Sequence, residues 1–444
     1  MTATVAAGSG GDVGTDSVCC EDECLDQQEE AEEEVAQEPG QEEHAEEEFV
    51  RDSRDPPLLS VFPIIEVTTA GMTKQQKTAQ GLELPEKYLH TLIGSMLDRL
   101  SVADTNALRG FVEKFQPFRY ASACAGTDCP ALVVKAIAEV MQARNINCTV
   151  DHLWSSEIHP AKRQFLRTMF PASPHLYGDL ETVLGDEALD YAMAHSSSGR
   201  KSTTSTTVPK TFKGVIGGFP CTSVSSMNCH RESSRDAIKD GKGKTGSVWR
   251  LILQLLDSVD GGVQGEGCTD EGGFMWALFE NVLGLSTAPK NANGTRMDIN
   301  DSNLGKVLDS LYRRGHLPFV LLLHPEEYGH PVSRPRYYIP VVSRELIDTF
   351  GISEVAFYSW LQELSRMFAG HGRVHLESFV LPESSHAVVD MLREAKSKGR
   401  RAIHFISCMF MRELRIAGLS MGWGRVGWRP QNATEGIPRV FAFA

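Results

Sequence analysis

The chain has 444 residues, ten of them cysteine, and a formal net charge of −14. That length allows two or three domains, and so few cysteines exclude a disulfide scaffold. No apolar run is long enough to cross a bilayer, and the start lacks the basic-then-apolar layout of a secretory signal, so an intracellular protein with no membrane partner is expected.

The charge is unevenly placed. Residues 1–55 hold nineteen Asp or Glu against two Arg, leaving about +3 on the remaining 389. This segment is rich in Glu, Gln, Gly and Ala, cannot bury enough apolar surface to offset ordering entropy, and is expected to be a disordered acidic tail. Cys19, Cys20, Cys24 and His44 fall within it without a second pair of zinc ligands, so no metal is expected. The mildly basic body that follows is compatible with a polyphosphate partner.

An N-terminal helical segment is predicted over 80–116, where Tyr88, Leu89, Leu92, Ile93, Met96 and Leu100 follow a helical period. Strands at 119–123 and 150–156 then alternate with helices at 130–143 and 160–169. Further strands are predicted at 213–217, 274–279, 317–323 and 336–342, with helices at 247–257 and 302–314. Such alternation implies an α/β fold with a mostly parallel sheet covered on both faces. Ligands of these folds bind beyond the carboxyl ends of the strands. The Ser/Thr-rich stretch 195–210 reads as a loop, and the charged, Gly-rich stretch 229–246 as a lid or surface loop. Helices are predicted near 344–368 and 383–397, and Trp249 is expected in the core.

Three motifs carry candidate chemistry. Gly-Gly-Phe-Pro-Cys at 217–221 follows a short apolar strand, with Pro220 fixing the chain before a cysteine placed for nucleophilic work. Phe-Glu-Asn-Val at 279–282 ends an apolar strand with Glu280, whose carboxylate could bond a ring donor or hold a proton. In Tyr-Gly-His-Pro-Val-Ser-Arg-Pro-Arg at 328–336, Arg334 and Arg336 share one side of an extended segment and suit phosphate or carbonyl oxygens. Taken singly, each has an ordinary structural explanation: a buried cysteine, a solvated strand-end acid, a charged edge strand.

Their order is more specific. Pro-Cys, Glu-Asn-Val 59 positions later and Arg-x-Arg 54 positions after that resemble the signature of the C5-cytosine-specific DNA methyltransferases. The resemblance covers roughly residues 117–342. It implies a Rossmann-like S-adenosylmethionine-dependent methyltransferase domain over 117–343 and a short target-recognition region over 344–444. Tyr120–Ile137 is similar to the family's first motif, so Cys124, Ala125, Gly126 and Thr127 would cradle the methionine part of S-adenosylmethionine, with Pro220 nearby. Here Cys124 replaces the usual Phe and Asp128 the second Gly. Glu157 matches the acid that grips the ribose hydroxyls, and Asp179 the residue near the adenine amine. Val332 stands where the family has Gln. The family's closing Gly-Asn-Ser/Ala-Val-Pro motif has no clear counterpart here, with Gln431-Asn432-Ala433 only an echo of it.

The resemblance implies that Cys221 attacks C6 of cytosine, that Glu280 bonds N3 and the exocyclic amine, and that Arg336 orients the base carbonyl with support from Arg334. The expected partner is double-stranded DNA with a flipped cytosine, and nuclear localisation follows from that function alone. RNA is the less favoured substrate, because the Cys-Phe-Thr signature of the family's tRNA-modifying branch is absent. A catalytically inactive descendant that binds nucleic acid or a partner is the reading from a different class. The departures in the first motif favour it, and the intact Cys221, Glu280 and Arg336 oppose it.

Overall fold

The computed structural model describes residues 57–66, 85–170, 175–185, 187–192, 204–225, 237–241, 243–260, 274–289, 293–328 and 334–369. The acidic tail, its cysteines, Val332, the helix expected at 383–397 and Gln431–Ala433 lie outside the described residues.

The chain opens with α1 (Leu58–Val61), β1 (Ile65–Glu66), α2 (Pro85–Leu97) and α3 (Val102–Phe115). The α/β series follows: β2 (Phe118–Ala123), α4 (Cys129–Ala143), β3 (Val150–Ser156), α5 (Pro160–Met169), β4 (Leu176–Tyr177) and α6 (Leu180–Leu184). A hairpin of β5 (Glu187–Asp190) and β6 (Thr204–Thr207) leads to β7 (Gly214–Gly217), α7 (Ala237–Asp240), α8 (Gly243–Asp260) and β8 (Trp276–Val282). The described part closes with α9 (Asn303–Tyr312), β9 (His316–Pro318), β10 (Leu321–Leu323), β11 (Arg336–Ser343), α10 (Arg344–Thr349) and α11 (Glu354–Phe368).

One sheet has the order β1-β10-β11-β8-β7-β2-β3-β4, with β9 also paired to β11. The run β8-β7-β2-β3-β4 is parallel, and β11 is antiparallel to β8. From β2 the chain moves outward through β3 and β4, then returns to build β7 and β8 on the other side. The switch point therefore lies between β2 and β7, where open α/β sheets form their ligand crevice. This is a Rossmann-like α/β architecture.

Central strands buried on both faces need small or apolar residues throughout. Residues 120–123 of β2 and the whole of β7 meet that need and are buried. Helix α4 starts with Pro130 in its first turn, where a missing N–H costs nothing, and ends just before Asn145, which is left-handed at φ +58. The largest apolar cluster joins α8 and α9 to the sheet, including Trp249, Leu256, Leu304, Leu311, Phe279 and Ile339. Trp249 is core, as expected, and its indole donates to Ser310 Oγ at 3.2 Å. Helices α2 and α3 pack on α4 through Ile93 and Leu97 against Ala136 and Val140, and through Val112 against Ala138.

Four expectations need correction. The stretch 195–210 is not all loop, because Thr204–Thr207 pairs antiparallel with Glu187–Asp190. β-Branched threonines suit a half-exposed strand despite their polarity. The single strand expected over 317–323 is two, since Pro318 offers no amide N–H and the Phe319 N–H turns to Pro340 O at 2.9 Å. Within the charged insert 229–246, residues 229–236 and 242 are outside the described set. Its end forms α7 and the start of α8 instead, because Ala237 and Ile238 bury their side chains there. Finally, Glu280 does not end its strand: β8 runs on to Val282, and Glu280 is the register partner of Tyr338.

Candidate active site

The sheet brings the two sets of motif residues to one edge. Cys124 follows β2, Glu157 follows β3, Asp179 follows β4 and Cys221 lies just beyond β7, all at carboxyl ends of parallel strands. Glu280 lies one residue past the β7–β8 pair Gly217–Phe279, at the same edge. Strand β11 runs the opposite way, so its first residue, Arg336, comes to that edge as well.

Cys221 stands on a clamped turn. The Val224 and Ser225 N–H groups both donate to its carbonyl, at 3.0 and 2.8 Å, and the Ser223 N–H donates to Thr245 Oγ1 of α8 at 3.1 Å. Asn281, 1 % exposed, donates from Nδ2 to Phe219 O at 3.1 Å, holding the Gly-Phe-Pro-Cys loop against β8. The Phe219 ring packs on Trp249 with centroids 4.9 Å apart. Any side chain at Gly284 would run into the Val224 carbonyl, so the turn after Cys221 requires glycine there.

Beside this turn, Arg336 Nε meets Glu280 Oε1 at 2.8 Å. Burial pushes the Glu280 carboxyl above the ordinary carboxylate range, although Arg336 and Arg334 favour its ionised form. The Arg336 guanidinium is drawn down by burial and by Arg334, opposed by Glu280 and Cys221, so all four candidate catalytic residues lie within one electrostatic neighbourhood. Arg334 itself is exposed. A partly buried carboxyl, a guanidinium and a thiol on a rigid turn can together bond a planar heterocycle and attack it.

The second group surrounds the loop Cys124–Asp128. Three of its five residues, Cys124, Gly126 and Asp128, have φ between +50 and +59. For Cys124 and Asp128 this costs of order 1 kcal/mol each, the kind of strain that clusters at functional sites. Gly126 has open space where a Cβ would project. Glu157, 5 % exposed, accepts from the Gly126 N–H at 2.8 Å and from the His159 N–H at 2.9 Å. Each carboxylate oxygen keeps a lone pair for a further donor. The Ala125 N–H donates to Ser156 O at 2.8 Å, and Thr127 Oγ1 lies 3.2 Å from Cys129 Sγ. Burial pushes the Cys124 thiol up to about 12, with Glu157 and Asp179 adding to it. Asp179 is exposed and caps α6, accepting from the Glu181 N–H at 3.0 Å.

An acidic, backbone-lined loop at a switch point suits a cationic ligand bearing ribose hydroxyls. The donor set thus fits S-adenosylmethionine, the cofactor expected of the resemblance.

The chain also matches a known protein by sequence. Over 139 residues it is 28 % identical to the DNA (cytosine-5-)-methyltransferase DMT5 of Cryptococcus neoformans var. grubii. Over that stretch the chain is similar to a C5-cytosine methyltransferase. The matched stretch is 31 % of this chain and 5 % of the fungal protein, and no protein-family model matches. Solved methyltransferase structures overlap only loosely. A prophage-encoded candidate DNA modification methyltransferase of E. coli gives a TM-score of 0.31 at 16 % identity, over 60 % of this chain and 56 % of that one. Dnmt2 of Spodoptera frugiperda gives 0.27 at 14 % identity, over 51 % and 50 %. The fold assignment rests on the sheet described above.

Two residues near the site were not singled out from sequence. Tyr338 follows Arg336 by two on β11 and lies opposite Glu280, which places all three on one face. Burial raises its phenol, helped by Glu280 and, from the start of α4, by Cys129. Period-two alternation counted on from Arg336 would have found it. Ile158, 61 % exposed beside Glu157, offers an apolar surface at the rim. Its signal was an isoleucine following the strand-end acid.

Proposed function

We propose that this chain is an S-adenosylmethionine-dependent cytosine C5-methyltransferase acting on DNA, with Cys221 as the nucleophile. The observation that carries the reading is the Glu280–Arg336 pair beside the Cys221 turn, on the sheet edge that also holds the Cys124–Asp128 loop.

S-adenosylmethionine, when bound, supplies an electrophilic methyl group, and Cys124, Ala125, Gly126, Thr127, Glu157, Asp179 and Pro220 are the residues that would hold it. The chain's own residues prepare the base. Cys221 Sγ forms a bond to C6 of cytosine, and the C5–C6 π pair moves toward C5, making that carbon nucleophilic. Glu280 bonds N3 and the exocyclic amine, stabilising the density displaced into the ring. Burial raises the Glu280 carboxyl, which favours the protonated form that can donate to N3 over what an exposed glutamate would show. Arg336 holds Glu280 and faces the base carbonyl, with Arg334 toward solvent or the backbone. Loss of the C5 proton with departure of the Cys221 thiolate restores the aromatic ring. A cytosine within a duplex must leave the stack to reach this edge, costing a few kcal/mol. DNA is preferred to RNA because the matched relative acts on DNA and the tRNA-branch signature is absent.

The test is covalent trapping by the full chain on 5-fluorocytosine oligonucleotides, in duplex DNA and in RNA, with S-adenosylmethionine present. A DNA adduct is expected. An RNA adduct in its place overturns the substrate, and absence of both cofactor binding and adduct overturns the enzymatic reading.

A further inference from the structure

The residue that departs most from the resembled motif is also the most connected one in its loop. Asp128 occupies the N-cap position of α4, yet its side chain makes no capping bond. It turns inward and is 1 % exposed. Its Oδ1 accepts from Ser122 Oγ of β2 at 2.9 Å, and its Oδ2 accepts from Ser155 Oγ of β3 at 2.7 Å. His152 Nε2 lies 3.1 Å from Ser155 Oγ and 3.6 Å from Asp128 Oδ2. The His152 ring stacks on Tyr120 of β2, with centroids 4.6 Å apart and planes 4° apart. The Asp128 N–H also closes the loop on Ala125 O at 2.7 Å. One buried carboxylate thus ties the loop to two adjacent strands.

A glycine at this position would supply the left-handed backbone at no steric cost, but nothing to hold the loop. Asp tolerates φ +50 less well and compensates with charge-assisted bonds to two buried hydroxyls. These bonds set where Cys124–Thr127 stands relative to Glu157, which accepts from the Gly126 N–H.

We infer that Asp128, through Ser122, Ser155 and His152, is a positioning residue that replaces glycine freedom with a buried tether and holds the methyl-donor loop in its binding shape. The inference rests on the proposed function, because it takes the loop to be the cofactor cradle.

The test measures S-adenosylmethionine affinity by calorimetry on the full chain, alongside thermal unfolding, for wild type, Asp128→Gly, Asp128→Asn, Ser155→Ala and the Asp128→Asn/Ser155→Ala double variant. Asp128→Gly keeps the backbone freedom and removes the tether, so a roughly tenfold or greater loss of affinity is expected. Asp128→Asn keeps an acceptor and is expected to retain most of it. Asp128→Asn and Ser155→Ala share one network, so their effects on affinity are expected to be non-additive. Wild-type affinity in Asp128→Gly overturns the inference while leaving the proposed function intact. If Asp128→Gly fails to fold, additive effects in the Asn and Ala variants overturn it instead. A wild-type chain that binds no S-adenosylmethionine overturns both readings.

Discussion

Glu280 and Arg336 meet diagonally across the antiparallel β8–β11 pair, with Arg336 Nε 2.8 Å from Glu280 Oε1 and each residue opposite a different neighbour on the facing strand. The pair couples the charge of the proposed base-binding acid to the arginine of a motif more than fifty residues away. Burial raises the Glu280 carboxyl while Arg336, and after it Arg334, pull it down. Arg336→Gln removes the larger opposing charge, so the Glu280 titration midpoint should climb further. The sign for stability follows. A carboxyl raised in the folded state stabilises the protein below the ordinary glutamate pKa and loses that contribution as pH rises through the folded value. Carboxyl-carbon NMR across a pH titration reads the midpoint directly, and a lower midpoint in the variant contradicts the coupling.

Cys221→Ser should abolish the adduct with 5-fluorocytosine DNA, because a serine hydroxyl is scarcely ionised near neutrality whereas a thiol is a far better nucleophile. S-adenosylmethionine affinity should stay within about threefold of wild type, as Cys221 lies outside the Cys124–Asp128 loop. Denaturing gel electrophoresis separates the trapped complex, and an adduct surviving in the serine variant moves the nucleophile elsewhere.

Much of this site was readable before any coordinates. Cys221, Glu280 and Arg336 stood out because their order resembles a methyltransferase signature, and the sheet brings Glu280 and Arg336 to 2.8 Å beside the Cys221 turn. Strand β3 and helix α5 were read with their observed bounds. Tyr338 was not legible, since its place depends on the β8–β11 register, a long-range pairing. Asp128 stood out as a departure, but its inward turn depends on hydroxyls from two strands. The hairpin strand Thr204–Thr207 was missed because a Ser/Thr-rich stretch fits a loop by polarity and a strand by β-branching. Only its pairing with Glu187–Asp190 decides between them.

Asn281 should prove structural as well as functional. Its buried amide bonds Phe219 O, and its Oδ1 accepts from the Val282 N–H at 2.8 Å. Asn281→Ala leaves both backbone groups without these partners, which costs about 1–3 kcal/mol. Urea unfolding should show that loss, and the rate of adduct formation should fall by more than the unfolded fraction explains, because the Cys221 turn loses its hold on β8. An adduct rate unchanged once corrected for folding would falsify the positioning role.

Cys124 in the loop and Cys129 at the start of α4 offer a contrast. Burial, then Glu157 and Asp179, push the Cys124 thiol up to about 12, against the pull of Lys162, whereas Cys129 is exposed. Since the thiolate is the reactive form, each unit of upward shift removes about tenfold of it at a given pH. At pH 8, iodoacetamide should therefore alkylate Cys124 at least about a hundredfold more slowly than Cys129. Asp179→Asn removes one of the charges that raise Cys124 and should speed its alkylation, while leaving Cys129 unchanged. Peptide mass spectrometry over a time course separates the two sites. Equal rates in the wild-type chain would mean that Cys124 does not stand in the buried, acidic setting that makes this loop fit for a cationic methyl donor.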